Sequence, residues 1–284
     1  MSEGQGQAGY SPVVETARSY YNSNDADNFY HTIWGGEDIH VGLYYDEKDT
    51  IFEASQRTVE KMAEHIKDKL QPGNKVLDLG AGYGGSARYL VKTYGVEVVC
   101  LNLSEVENER NRTKNKEQGL ESKIEVIDGD FENVPLPDNS YDIIWSQDAI
   151  LHSGDRPKVF KEVQRLAKPG ALFVFTDPMQ SDDCPEGVLQ PIYDRIHLSS
   201  LGAPGYYEKL GKEMGWTFLG YDGMPEQLVN HYSRVREELE KRRADLEKVV
   251  SVDYIERMKK GLGHWVDGGK NGYLAWGILR FRLP

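Results

Sequence analysis

Apolar positions along the chain switch between two spacings. Over 54–71, A-S-Q-R-T-V-E-K-M-A-E-H-I-K-D-K-L-Q, residues Val59, Met62, Ala63, Ile66 and Leu70 recur at three and four, the period of an amphipathic helix, and Pro72-Gly73-Asn74 ends it. A short apolar run at 76–79 then predicts a buried strand, and a helix follows over 86–94. The exchange repeats: strand 96–101, polar helix 105–119, strand 123–127, strand 141–146, helix 156–167, a Pro169-Gly170 turn and strand 171–176. A loop and a helix come next. They are followed by a sixth strand at 216–222, two helices in the charged stretch 225–261, and a closing strand over 272–283. Strands apolar on both faces, alternating with helices, predict an α/β fold: an open, mostly parallel, Rossmann-like sheet with helices on each side.

Residues 12–53 break this rhythm. They concentrate aromatics (Tyr20, Tyr21, Phe29, Tyr30, Trp34, Tyr44, Tyr45 and Phe52) and are interrupted by Gly35, Gly36 and Gly42, which suits short helices and turns. The expected organisation is a disordered tail at 1–9, an aromatic-rich cap at 10–53, and a main domain at 54–284 with a helical insertion at about 225–261. The cap either fills an interface with the main domain or acts as a lid that excludes water, and both readings are compatible. A net charge of −12 argues against nucleic acid and against anionic membranes. The two cysteines, Cys100 and Cys184, have no metal-type spacing, so a reducing compartment and no metal are expected. The start of the chain lacks a signal-peptide pattern and no apolar run reaches membrane-spanning length, which gives a soluble cytoplasmic expectation. A homodimer is left open.

Ligands of such sheets sit beyond the strand C-termini, so the informative residues follow each strand. After the first strand the run is K-V-L-D-L-G-A-G-Y-G-G, residues 75–85. Gly80, Gly82 and Gly84 let the backbone approach a ligand, and the helix behind them offers free N–H groups. The spacing is D-x-G-x-G-x-G, not the G-x-G-x-x-G of dinucleotide sites. Asp78 would repel a pyrophosphate and suits a ligand carrying an ammonium and a sulfonium. The competing reading is a turn that only packs helix on strand. The run resembles the first motif of the class I S-adenosylmethionine-dependent methyltransferases. That resemblance implies a seven-stranded sheet with its last strand antiparallel, and S-adenosyl-L-methionine as cofactor. It also implies a cofactor set of Tyr21, Asp78, Gly80, Ala81, Gly82, Gly84, Asn102, Leu103, Asp130, Phe131 and Gln147. Asn102 stands where the family usually has an acid on the ribose, and its amide can still accept from one hydroxyl and donate to the other.

Within that family, N-F-Y-H-T-I-W-G-G-E-D-I-H-V-G-L-Y together with S-Q-D-A-I-L-H-S-G-D-R resembles the sarcosine and dimethylglycine N-methyltransferases, which make glycine betaine. D-A-I-L-H is also similar to a piece of the phosphoethanolamine methyltransferases, whose histidine works with a tyrosine. The resemblance implies that His152 is catalytic, with Tyr30 or Tyr44 as its cap partner. The other histidines (His31, His40, His65, His197, His231 and His264) have no comparable placement, and His65 reads as a helix-surface residue. The small amino-acid substrate calls for an arginine fork on its carboxylate, for which Arg195 is the candidate. Trp34 would face the developing quaternary ammonium, and Tyr193 would shape the same pocket. An amine of pKa near ~10 costs roughly 4 kcal/mol to deprotonate at neutral pH. Placing two reactants supplies on the order of 7–11 kcal/mol, so positioning outweighs the proton and no strong base is required. The rivals are a phosphobase methyltransferase, disfavoured by acidic loop residues Asp177, Asp182, Asp183 and Glu186, and a catalytically silent S-adenosylmethionine-binding protein.

Overall fold

The computed structural model describes residues 10–196 and 198–284; the expected tail, 1–9, and His197 lie outside them. In chain order the described residues form α1 (Pro12–Tyr21), α2 (Asn24–Trp34), α3 (Ile51–Ile66), β1 (Lys75–Leu79), α4 (Gly85–Tyr94), β2 (Glu97–Asn102), α5 (Glu105–Glu117), β3 (Ile124–Asp128) and β4 (Tyr141–Gln147). Then come α6 (Arg156–Leu166), β5 (Ala167–Thr176), β6 (Met179–Gln180), α7 (Gln190–Ile196), α8 (Pro204–Glu213), β7 (Thr217–Gly223), α9 (Pro225–Lys241), α10 (Arg243–Leu246), α11 (Val252–Lys270), β8 (Leu274–Ala275) and β9 (Gly277–Arg282).

Seven strands pair in the order β3-β2-β1-β4-β5-β9-β7. The first four neighbouring pairs are parallel, and β9 runs antiparallel to both β5 and β7, as expected for the last strand. Successive strand residues face opposite sides of the sheet. On one side Val76, Val98, Ile143, Trp145 and Val174 pack on Met62, Ala63 and Leu90 of α3 and α4. On the other, Leu77, Ile144, Phe173 and Phe175 pack on Val159, Phe160 and Val163 of α6 and Tyr207 of α8. Each such side chain, fully buried, contributes roughly 1.5–3 kcal/mol, which is why the strand runs are apolar at every position.

The cap does not rest on the sheet alone. Phe29, Ile33 and Trp34 of α2 share one cluster with Val235 and Leu239 of α9 and with Ile255, Met258 and Leu262 of α11. Cap and C-terminal helices therefore make one helical layer, and the order reversal between β1 and β4 opens the sheet beneath it.

Four local features differ from the sequence expectation. α3 starts at Ile51 because Thr50 and Glu53 form a capping box: Glu53 N donates to Thr50 Oγ1 (3.1 Å) and Thr50 N to Glu53 Oε2 (3.0 Å). β5 begins at Ala167, and Pro169-Gly170 bulge out within it, so that Tyr141 pairs with Ala167 but Ile143 with Leu172. α8 went unread because it buries only Tyr207 and Gly211, too few to show a period. α11 runs on to Lys270, and the closing strand splits, with Leu274–Ala275 pairing with Met179–Gln180 instead. No helix among the described residues is long and apolar enough to cross a membrane. No group of three or more metal-ligating side chains is found among them.

Candidate active site

The glycine turn leaves β1 with three left-handed residues, Gly80 (φ 77°), Gly82 (φ 51°) and Gly84 (φ 77°). Their reasons differ. A Cβ on Gly80 would sit 2.3 Å from Ala149 Cβ, so the turn lies against the loop after β4. A Cβ on Gly84 would meet Asn111 Oδ1 at 2.2 Å, so that glycine seats α4 on α5. At Gly82 the nearest atom would be Ile39 Cδ1 at 3.7 Å, which leaves room for a ligand.

That room is a cleft lined by Tyr21, Gly80, Gly82, Asn102, Leu103, Glu107, Asp130, Phe131, Gln147 and His152. Gln147 Oε1 accepts from Trp145 Nε1 (2.9 Å) and from Ser86 Oγ, while its buried Nε2 has no partner among the described residues. A donor without a partner in a cleft wall is one a ligand would satisfy. Asn102 Nδ2 donates to Glu107 Oε2 (2.9 Å), and burial pushes the Glu107 carboxyl up to about 7. Burial also raises Asp130. Glu107 was not foreseen: it lies in the first turn of α5, where an acidic residue reads as solvated face. It returns a carboxylate to the place where Asn102 lacks one.

Three residues expected at the cofactor do not line this cleft. Asp78 is buried beneath the turn, its pKa pushed up to about 7 by burial and then by Asp38. The Ala81 side chain packs into the α3–α4 core, and Gly84 seats α4 on α5.

A second cavity adjoins the cleft and shares Tyr21, Ile39, Asp148 and His152 with it. Tyr30, Trp34, His40, Arg195, His231, Tyr232 and Met258 complete most of its wall. Tyr21 Oη and His152 Nε2 are hydrogen-bonded at 2.8 Å. The His152 turn is held because Leu151 N donates to the buried Asp177 carboxylate (2.9 Å), which also accepts from Tyr207 Oη (2.6 Å). Asp177 is thus a support, not an acidic pocket residue. Burial, and then Arg156, push the His152 imidazole down to about 4, and burial raises the Tyr21 phenol, so the pair is neutral at pH 7.

The histidine's partner is therefore Tyr21, not Tyr30 or Tyr44. The Tyr30 hydroxyl lines the cavity but bonds that of Tyr20 (3.2 Å), and Tyr44 Oη meets His231 Nδ1 (3.0 Å) behind the wall. Tyr193 also falls outside, donating to Gln180 Oε1 (3.0 Å). Trp34 does line the cavity, its Nε1 donating to His40 O (3.3 Å). Arg195 lies against α11 at Gly261, among the hydroxyls of Tyr20, Tyr30, Tyr254 and Tyr232. Among the described residues no carboxylate comes within 4.0 Å of its guanidinium.

Sequence reasoning also passed over His40, His231 and Asp148. Asp148 (φ 51°) accepts from Val41 N (2.7 Å) and Trp276 Nε1 (2.9 Å), tying the cap segment and the C-terminal strand to the end of β4. Burial works to lower the pKa of His40, but Asp38, 3.4 Å from its Nε2, outweighs it and the net shift is upward. His65 is not a free surface residue, since its Nε2 pairs with Asp222 at 2.8 Å.

A family profile described as "Methyltransferase domain" matches residues 77–175. The sarcosine/dimethylglycine N-methyltransferase of Aphanothece halophytica is 55% identical over 272 residues, covering 96% of this chain and 98% of its own. The chain belongs to the sarcosine/dimethylglycine N-methyltransferase family. The enzyme of that name from Halorhodospira halochloris is 56% identical over 270 residues, 95% of this chain and 96% of its own. A solved structure of a candidate sarcosine dimethylglycine methyltransferase from Galdieria sulphuraria superposes with a TM-score of 0.89 at 48% identity, over 93% of this chain and 98% of that one. Like this family, the enzyme uses S-adenosylmethionine. The cleft fits it: the space over Gly82, the unpartnered Gln147 amide and the carboxylates of Glu107 and Asp130 suit a ligand with ribose hydroxyls, an exocyclic amine and a cationic centre.

Proposed function

We propose that the enzyme methylates the amine nitrogen of sarcosine and dimethylglycine, giving glycine betaine, and that Arg195 and the Tyr21–His152 pair are its substrate machinery. When bound, S-adenosylmethionine supplies an electrophilic methyl group on sulfur. The observation that carries the substrate reading is Arg195, a cation in the cavity wall without a carboxylate partner. Arg195 is half-buried, and its hydrogen bond among the described residues goes to Met258 Sδ, a weak acceptor; a substrate carboxylate would supply the strong, two-pronged partner it lacks. Arg195 is the only Arg or Lys among the described residues lining the cavity, which suits one carboxylate better than a phosphate dianion and disfavours a phosphobase.

The proton of the substrate ammonium sets the order of events. In dimethylglycine the single N–H occupies the corner of the nitrogen at which the new C–N bond forms, so that proton leaves before transfer. His152, neutral and hydrogen-bonded to Tyr21, receives it and, with a pKa near 4, releases it to solvent before transfer, so that the amine attacks as its free base. Trp34 and Tyr30, their ring centroids 5.2 Å apart, line the cavity that would hold the ammonium of the product. Tyr30 and Trp34 of the cap and Tyr232, Met258 and Leu262 of the C-terminal helices wall this cavity. We place the enzyme in the cytoplasm; its net charge of −12 disfavours a nucleic-acid partner, and a homodimer is the assembly that light scattering would test.

Arg195→Met tests the reading. It should raise KM for dimethylglycine at least tenfold and leave the affinity for S-adenosylhomocysteine unchanged. An unchanged KM would remove Arg195 from the substrate site.

A further inference from the structure

His231, on α9, is 1% exposed and lies between three rings: Trp34 at 5.3 Å, Tyr232 at 5.5 Å and Tyr44 at 5.9 Å. These contacts fix the plane of its imidazole. Two groups face Nδ1: Gly42 N at 3.2 Å and Tyr44 Oη at 3.0 Å. A backbone N–H only donates, so Nδ1 must present its lone pair. The neutral ring then carries its proton on the other nitrogen. That nitrogen, Nε2, is buried and has no hydrogen-bond partner among the described residues, and His231 is part of the wall of the cavity that holds Arg195. A buried N–H donor left without an acceptor costs free energy that a ligand atom would restore.

We infer that His231 Nε2–H is a second donor to the substrate carboxylate, acting beside Arg195. The inference rests on the amino-acid reading of this cavity. A carboxylate has about four lone-pair sites, and a guanidinium fork fills two. The remaining oxygen face wants a donor, and burial without one weakens the anion's fit. A neutral donor suits the site better than a second arginine would. It grips the carboxylate without adding positive charge near a cationic methyl donor and a cationic product. The ring-packed imidazole is also preorganised, so little rotamer freedom is lost on binding.

Two substitutions separate this role from packing. In His231→Asn the side-chain oxygen takes the place of Nδ1 and keeps Gly42 N–H and Tyr44 O–H satisfied, but no donor reaches as far as Nε2. In His231→Gln a donor of similar reach is kept. His231→Asn should raise KM for dimethylglycine about tenfold, the loss of one hydrogen bond to a charged group. Its kcat should change less than threefold and its affinity for S-adenosylhomocysteine should not move; His231→Gln should recover most of the loss. In the wild-type enzyme with S-adenosylhomocysteine bound, nitrogen-15 imidazole spectra should show the His231 proton on Nε2, and dimethylglycine should shift that resonance. The spectrum answers the question even if a variant fails to fold. A proton on Nδ1, or a resonance that dimethylglycine does not move, overturns the inference. If Arg195→Met loses dimethylglycine affinity while His231→Asn does not, the His231 role fails and the cavity reading stands. If neither variant loses affinity, the cavity reading itself fails.

Discussion

Gly261→Ala separates the position of Arg195 from its charge. Gly261 sits inside α11, and a Cβ there would fall 1.8 Å from Arg195 Nε and 2.0 Å from its Cδ. Non-bonded carbon contacts are comfortable at about 3.5–4.0 Å, so the arginine must retreat by roughly 1.5–2 Å. Misplacement of a positioning group by about 1 Å can cost on the order of 10²-fold. Hydrogen bonds to charged groups contribute about 1.5–3 kcal/mol each, and about 1.4 kcal/mol is tenfold. Loss of one prong of the fork therefore gives a rise in KM for dimethylglycine of about 10- to 100-fold. Folding should survive, because alanine in a helix interior is about 1 kcal/mol more favourable than glycine and offsets part of the crowding. The assay is initial rate against dimethylglycine at saturating S-adenosylmethionine, with calorimetric S-adenosylhomocysteine affinity as the check on the cleft. Gly263→Ala is the control, since the nearest atom to its Cβ is Arg236 Nη1 at 3.7 Å. A folded Gly261→Ala enzyme with KM within twofold of wild type would refute the placement of Arg195.

Other outcomes follow from the cleft and the neutral pair. His152→Ala should lower kcat at least tenfold with S-adenosylhomocysteine affinity nearly intact, and Tyr21→Phe should lower it by a smaller factor; equal loss of kcat and cofactor affinity would make His152 a folding residue. Because His152 sits near pKa 4, log kcat/KM should climb with pH from 6 to 9 as the free amine accumulates, with no step near 6.5; such a step would place a normal histidine in the reaction. Burial lifts the Glu107 carboxyl to about 7 in the folded protein, above its unfolded value, so its contribution to stability is complete below about pH 4.3 and is lost as pH rises through 7. Glu107→Gln should thus be more stable than wild type at pH 8 by about 3 kcal/mol without cofactor, and the gap should narrow to about 1 kcal/mol at pH 5; thermal melts at both values check it.

The sheet was legible because burial on both faces demands unbroken apolar runs, and the strand-end residues could then be read in turn. That reading found Asn102, Leu103, Asp130, Phe131, Gln147 and His152, all of which the structure brings to the cleft. What it lacked was tertiary. Tyr20, Tyr21, Tyr30 and Tyr44 are equivalent as letters, and only the docking of α1 against the turn at Ile150–His152 selects Tyr21. Asp78 carries the right charge for a cationic ligand but points beneath the turn, where burial and Asp38 disfavour its ionised form. His231 shares a helix face with Leu228, Val235 and Leu239, so its spacing reads as ordinary core. Glu107 hides in a helix whose remaining residues are almost all polar.

The central claim is that this cavity selects an amine by its carboxylate. Labelled S-adenosylmethionine, offered in parallel with glycine, sarcosine, dimethylglycine and phosphoethanolamine, tests it most directly. Label should pass to sarcosine and dimethylglycine and not to phosphoethanolamine. Preferential labelling of phosphoethanolamine would contradict the account.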